Sequence, residues 1–306
     1  MAKITEIWRH PIKSHGREAV SAAALSVGQT LPWDRQWAVV HDASDVDGST
    51  WAPCQNFSRS SKAPALMAIT CELDEARETL TLHHPDRPDV TFQPDQDSAA
   101  FIDWVTPLMP PNRAQSTRLV RAQQRGMTDS DYPSISLCNM ASHRAVSQKL
   151  GRDLSIHRWR GNIWLDGLAP WEEFDWIGKH IRLGTAVLEV KERVVRCMAT
   201  TANPKTGLRD ADTLGVLNTW GHQEFNVYAA VVENGHVAVD DSAELIWNSF
   251  LLGRQRPLTP TPQNRAGCFL PVAQILSKEL LQCRACHPRT GLKFALQAAQ
   301  TLANQA

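Results

Sequence analysis

Cys197 ends a β-branched run, Val194-Val195, follows Arg196 and leads into the polar loop Met198-Ala199-Thr200-Thr201-Ala202-Asn203-Pro204-Lys205-Thr206-Gly207. A thiol so placed is either a core filler or a sulfur set against an anion or a metal. A soft thiolate suits a soft, redox-active metal, and a neighbouring arginine lowers a thiol's pKa. Three other segments combine basic, hydroxyl and small residues: Pro11-Ile12-Lys13-Ser14-His15-Gly16-Arg17, Trp33-Asp34-Arg35-Gln36-Trp37 and Arg158-Trp159-Arg160-Gly161-Asn162-Ile163-Trp164. Arginine offers a fixed, always-charged fork to phosphate and lysine a point charge. Asn162 can both donate to and accept from a heterocycle edge. Taken singly, each segment also reads as a solvated loop; four such segments in one chain point to an anionic ligand.

These residues need turns at strand ends. Alternation predicts strands at 4–8, 36–40, 66–70 and 79–82, with the Lys13 and Arg35 segments at strand boundaries. A helix is expected over 98–108, stopped by Pro110-Pro111, and a better-marked one over 140–150, with Asn139 as N-cap and Gly151 just past its end. Strands return at 181–183 and 186–190 around Gly184. Residues 227–232 and 236–239 flank Asn234-Gly235, a hairpin signal suited to a type I′ turn. Many short strands with few helices predict an α+β, β-rich fold built on a barrel, not a doubly wound sheet. The expected domains are 1–115, 116–253 and a basic extension, 254–306, with a linker at 254–267 and helices at 271–283 and 292–302.

Length, at 306 residues, allows one large or two ordinary domains, and the formal net charge is zero. The zero hides an asymmetry: residues 254–306 hold seven Lys/Arg and one acid, and residues 1–253 hold 25 Lys/Arg and 31 acids. The basic tail could touch nucleic acid, but its aromatics are too sparse for stacking, which argues against it. Seven cysteines without framework spacing, no apolar leader and no membrane-length apolar stretch predict a reducing, cytoplasmic setting and no membrane association. Cys283-Arg284-Ala285-Cys286-His287 has the spacing of a c-type haem attachment site, but without an export signal haem is not expected. His83-His84 reads as an exposed turn rather than a metal pair.

The ordered set Pro-Ile-Lys-Ser, Asp-Arg-x-Trp, Arg-x-Asn-Ile, Pro170-Trp171-Glu172-Glu173, Arg-Cys-x-x-Thr-Thr and Pro-x-Thr-Gly resembles the MOSC family over residues 2–250. The name denotes the molybdenum cofactor sulfurase C-terminal domain. The resemblance implies a MOSC-type β-barrel core with a smaller, barrel-like N-terminal domain, and a pyranopterin molybdenum cofactor between them. It implies that Lys13, Ser14 and Arg35 contact the cofactor, that Arg160 and Asn162 do likewise, and that Cys197 binds molybdenum with Arg196 beside it. Where relatives carry a hydroxyl near the cofactor, this chain has Cys138, either a pocket residue or a buried structural thiol. The loop after Thr200-Thr201 lacks the acid usual in the family. The three tail cysteines lack the pattern of the C-terminal ferredoxin some relatives carry, so no intrinsic iron–sulfur cluster is expected and electrons must come from a separate protein.

The implied activity is a molybdenum-dependent oxidoreductase that reduces small N-hydroxylated compounds, with His15 as a proton donor by position. Two alternatives use the same residues: a sulfur carrier with a Cys197 persulfide, and a cofactor-binding or delivery module without turnover.

Overall fold

In the computed structural model the chain is described over residues 1–246. The sequence expectations for the tail, including the Cys283–His287 pattern, lie outside the described residues.

Alternating apolar residues build a closed barrel. Strand β1 (Ala2–Arg9) buries Ile4 and Ile7, and short β2 (Glu18–Val20) pairs along its edge. The other barrel strands are β9 (Ile135–Asn139), β10 (Ile163–Asp166), β11 (His180–Leu183), β12 (Ala186–Val195), β13 (Glu224–Glu233) and β15 (Ser242–Ile246). They run β10-β9-β13-β12-β11-β15-β1, and β1 pairs again with β10 to close seven strands on themselves. Only β9 and β10 run parallel. Closure leaves no free edge, and Ile4, Leu137, Ile163, Leu188, Val227 and Ala229 fill the interior.

A second centre forms around Trp37, Leu80, Phe92, Phe101 and Trp104. Its elements are β4 (Trp37–His41) paired with β8 (Ser116–Arg121), the sheet of β5 (Thr70–Asp74), β6 (Thr79–His84) and β7 (Arg87–Phe92), and helix α1 (Ser98–Val105). A third apolar cluster, with Cys138, Val146, Trp159, Trp164 and Phe225, lies under helices α2 (Met140–Leu150) and α3 (Thr213–Asn218).

Helix α2 has the expected bounds: Asn139 Oδ1 accepts from the Ala141 amide at 2.8 Å, and Gly151 turns left-handed at φ +67°. Four expectations need correction. Residues 64–68 coil as a short 3-10 turn opened by Pro64, and the strand begins at Thr70. Helix α1 stops at Val105, where Pro107 continues it only as a 3-10 turn over Thr106–Leu108. His83-His84 ends β6 instead of forming a turn, with His84 buried. The hairpin at Asn234-Gly235 does not form. Strand β14 (Gly235–Ala238) leaves β13 and pairs antiparallel with β3 (Ala22–Leu25). Gly235 is there for close approach: a Cβ would sit 2.4 Å from the Ala186 amide nitrogen.

Candidate functional site

The turn after β1 holds Lys13 by its amide, which donates to Trp37 O at 2.8 Å, and the next residue, Ser14, sits at φ +65°. Arg35 sits at φ +55°, its amide on His10 O at 2.8 Å. Arg160 ends the 3-10 turn Ile156–Trp159 at φ +48°. Non-glycine residues in this region cost of order 1 kcal/mol each and persist only where their surroundings hold them, often at functional sites. All three line one cleft of about 350 Å³ together with Arg196 and Cys197.

The cleft is cationic. Seven Lys/Arg line it against two carboxylates, Asp129 and Glu192. The Lys13 ammonium, itself buried, donates to Met127 O at 2.7 Å and to the Asp129 carboxylate. Burial works to raise the Asp129 pKa, but Lys13, then Arg35 and Arg160, outweigh it and bring the carboxyl down to about 2. Arg35 pairs with buried Asp34 and donates to Arg160 O at 3.2 Å. Asp34 also accepts from the His10 amide at 2.8 Å. Burial opposes its ionisation, yet Arg35 and His10 hold it well below the usual carboxylate range.

Arg160 differs from the others. One terminal nitrogen donates to Gly16 O at 3.3 Å, and the other is buried without a partner among the described residues. Burial, then the charges of Arg35 and Arg17, lowers its pKa from 12.5 to about 9. At neutral pH it stays a cation, so an unused charged N–H remains in a positive cleft. An anion that accepts from it is what this arrangement fits.

Cys197 follows β12 and is exposed. The turn Met198–Thr201 begins on it: the Thr200 amide and hydroxyl both donate to Cys197 O, at 3.2 and 3.1 Å. The Thr200 hydroxyl also meets that of Thr213 at 2.6 Å. Arg158 donates to Thr201 O at 3.1 Å and pairs with Asp210. Arg196 spends its guanidinium on Phe225 O at 3.2 Å, Trp159 O at 3.0 Å and the Asn226 side chain, so it anchors the segment that presents the thiol. Arg17 ties the following loop to the N-terminal region, donating to Met67 O at 2.8 Å and Pro204 O at 3.0 Å. Gly207, at φ +70°, lies so close that a Cβ would come within 2.6 Å of Ala65 Cα. These contacts give the Pro-x-Thr-Gly stretch its physical reason.

Two of the residues expected at the site do not line the cleft. Asn162 is buried beside it: its Oδ1 accepts from the Ser136 amide and hydroxyl, both at 3.1 Å, and its Nδ2 donates to Trp8 O at 3.1 Å. Its side chain holds β9, β10 and β1 together and positions Ser136, which does line the cleft. Cys138 is enclosed among Trp159, Trp164 and Phe225, and burial pushes its thiol up to about 12. A Cβ on Gly161 would come within 2.2 Å of its sulfur. Gly161→Ala should therefore destabilise the fold by about 1–3 kcal/mol, read by urea unfolding, and Cys138→Ala in the same chain should recover part of that loss.

His15 does not serve as a proton donor to the cleft. It is fully buried, with Nδ1 on Lys13 O at 2.7 Å and its ring edge-on to Phe101. Burial first, with Arg160 also lowering it against a raising bond to Lys13 O, takes its pKa from 6.5 to about 4. Burial and Arg17 take His157 to about 4 as well. The folded state thus binds fewer protons than the unfolded chain between pH 4 and 6.5. Stability should be full above that window and fall through it on acidification, by up to about 1.4 kcal/mol per pH unit for each histidine. His15→Gln should flatten the dependence of the urea midpoint on pH there; an unchanged slope would contradict this.

Asp129, Tyr228, Arg59 and Ser60 line the cleft without having been singled out from sequence. None stands in a recognisable motif, and only the fold brings them to Lys13 and Cys197. Arg158 was the exception, standing two residues before Arg160. No helix among the described residues is long and apolar enough to cross a membrane. Nor do three or more His, Cys, Asp or Glu side chains among them group to hold a metal.

The chain is similar to several known proteins. Mitochondrial amidoxime-reducing component 1 from Danio rerio is 23% identical over 245 residues, covering 67% of this chain and 70% of that protein. Its Mus musculus counterpart is 23% identical over 240 residues, covering 68% and 67%. Molybdenum cofactor sulfurase from Drosophila grimshawi is 29% identical over 127 residues, 38% of this chain but only 16% of that protein's length. Among solved structures, the YUAD protein from Bacillus subtilis aligns with 80% of this chain and 96% of its own at a TM-score of 0.40 and 13% identity. The MOSC N-terminal beta barrel domain matches residues 1–131 and the MOSC domain residues 125–244. Together they cover the barrel and the cleft, and the chain belongs to the MOSC family.

Proposed function

We propose that the cleft holds a pyranopterin molybdenum cofactor and that the protein reduces small N-hydroxylated compounds with electrons from a separate protein. The observation that carries this reading is the exposed Cys197 thiol opening onto the same cation-lined cleft as Lys13, Arg35 and Arg160. When bound, the cofactor would supply a two-electron metal centre able to accept oxygen from an N–O bond. The chain's own residues do the rest. Lys13, Ser14 and Arg35 receive the phosphate end, and the unpaired Arg160 N–H gains its acceptor. Cys197 offers a thiolate to the metal. The Thr200, Arg158 and Arg196 contacts hold the backbone that carries it before any ligand arrives, which lowers the ordering cost of binding. Tyr228 keeps its phenolic proton, because burial and then Asp129 raise its pKa above the ordinary value. It is a neutral donor lining the cleft, whereas Asp129 is ionised and can only accept.

The test is reduction of benzamidoxime by the cofactor-loaded protein with an artificial electron donor. Turnover supports the oxidoreductase; bound cofactor without turnover would point to a delivery module. The exposure of Cys197 and the sulfurase relatives favour one second reading, sulfur transfer through a Cys197 persulfide. A mass increase of one sulfur on Cys197 in the isolated protein would favour it.

A further inference from the structure

Six large hydrophobic side chains are exposed among the described residues, and three of them lie on Cys197's own segment or on the loop fastened to it: Val195 at 69%, Met198 at 46% and Leu208 at 68%. They belong to one rim. Arg209 donates to Met198 O, to the Thr201 hydroxyl at 2.6 Å and to Ser61 O at 2.7 Å. The Asn203 amide donates to Leu208 O at 2.7 Å, and Gly207 abuts Ala65. The 198–201 turn, the 203–209 loop and the 59–65 segment are thereby fastened side by side at the mouth of the cleft. Packing does not call for this exposure, since the neighbouring Val194, Thr200 and Ala202 are all buried. The same segments bring Arg59, Lys62, Lys205 and Arg209, and none of these four has a carboxylate partner among the described residues. Asp210, the nearby acid, is occupied by Arg152 and Arg158.

An apolar centre within a charged collar is the anatomy of a transient protein interface. We propose that this rim is the docking face for the electron donor, and that the donor is a small acidic one-electron carrier protein. The inference rests on the oxidoreductase reading above and specifies its partner. Charge complementarity sets the sign of the partner: unpaired cations around the patch favour an acidic surface and steer its approach. Location sets its task, because the patch borders the thiol where electrons must arrive. Each turnover reduces R–NHOH with two electrons and two protons to R–NH2 and water. The N–O bond breaks, two carrier molecules are each oxidised by one electron in successive encounters, and solvent supplies the protons.

The experiment uses the cofactor-loaded protein with two reductants: an acidic [2Fe–2S] ferredoxin kept reduced by its NADPH-dependent reductase, and reduced methyl viologen, a small cationic dye. The variants are Met198→Ser with Leu208→Ser, and Lys205→Glu. Each should raise the KM for ferredoxin by about tenfold or more, and raising ionic strength from about 0.05 to 0.5 M should do the same to wild type. Dye-driven turnover should stay within about twofold, since a small reductant needs no docking face. Ferredoxin kinetics unmoved by the variants and by salt, or no ferredoxin turnover where the dye supports it, would overturn the inference. So would variants that lose binding to anionic lipid vesicles while ferredoxin kinetics stay unchanged, which would make the face a membrane contact. Absence of dye-driven turnover would instead strike the oxidoreductase reading. The patch is then read by calorimetric titration of wild type and Lys205→Glu with ferredoxin at low salt: weaker binding to the variant supports the docking face, and equal or absent binding rejects it.

Discussion

Cys197→Ser should fold like wild type and lose reduction of benzamidoxime by about a thousandfold or more, a barrier increase of about 4 kcal/mol. Folding should survive because the side chain is exposed and its contribution to the local structure is made through the backbone: Thr200 binds the Cys197 carbonyl, not the sulfur. Activity should not survive, because a serine hydroxyl stays protonated at neutral pH and is a hard, weak donor to a soft metal. Thermal unfolding within about 1 kcal/mol of wild type, as expected for a solvent-facing substitution, would separate loss of chemistry from loss of fold. A variant that keeps full molybdenum and full turnover would remove Cys197 from the account.

The second large effect concerns Arg160, and it has opposite signs with and without ligand. The guanidinium is half-buried, faces Arg35 and Arg17, and leaves one buried nitrogen unpaired. An unpaired buried charge is costly, and replacing it with an apolar side chain of similar length can stabilise a fold by about 1–4 kcal/mol. Arg160→Met should therefore raise the melting temperature of the cofactor-free protein. The same substitution removes a charge-assisted donor to the phosphate-bearing ligand, so affinity should fall by about a hundredfold, or roughly 3 kcal/mol. Pterin released from the purified variant, measured by fluorescence, should drop accordingly. A variant with lower stability and unchanged pterin would mean that Arg160 serves the fold and not the ligand.

What could be read from sequence was what local chemistry decides. Helix α2 is bounded by residues that act on their own neighbours, Asn139 at one end and Gly151 at the other. Lys13, Arg35 and Arg160 were found because cations on turns at strand ends stand out. The left-handed backbone of Ser14, Arg35 and Arg160 was not foreseen, because Ser and Arg carry no preference for it and only the surrounding contacts impose it. The errors have the same origin. Asn234-Gly235 has ideal hairpin chemistry, but Asn234 Oδ1 accepts from the Val27 amide at 2.7 Å and Gly235 makes room for Ala186. Tertiary pairing with β3 overrode the local preference. Asn162 was read as a ligand contact because its amide can pair with a heterocycle; in the fold both ends of that amide are taken by Ser136 and Trp8. Asp129 and Tyr228 carry no local signal, and they matter through what the barrel sets opposite them.

The central claim is that this cleft holds a molybdenum-bearing pterin through Cys197 and its cations. It is tested most directly by counting. The chain is expressed in a host that makes the cofactor, purified without reconstitution, and measured for molybdenum by mass spectrometry and for pterin by fluorescence. The account predicts about one of each per chain, as one cofactor held at Cys197 requires, with molybdenum lost or inactive in Cys197→Ser. Wild-type protein carrying neither metal nor pterin above background would contradict it.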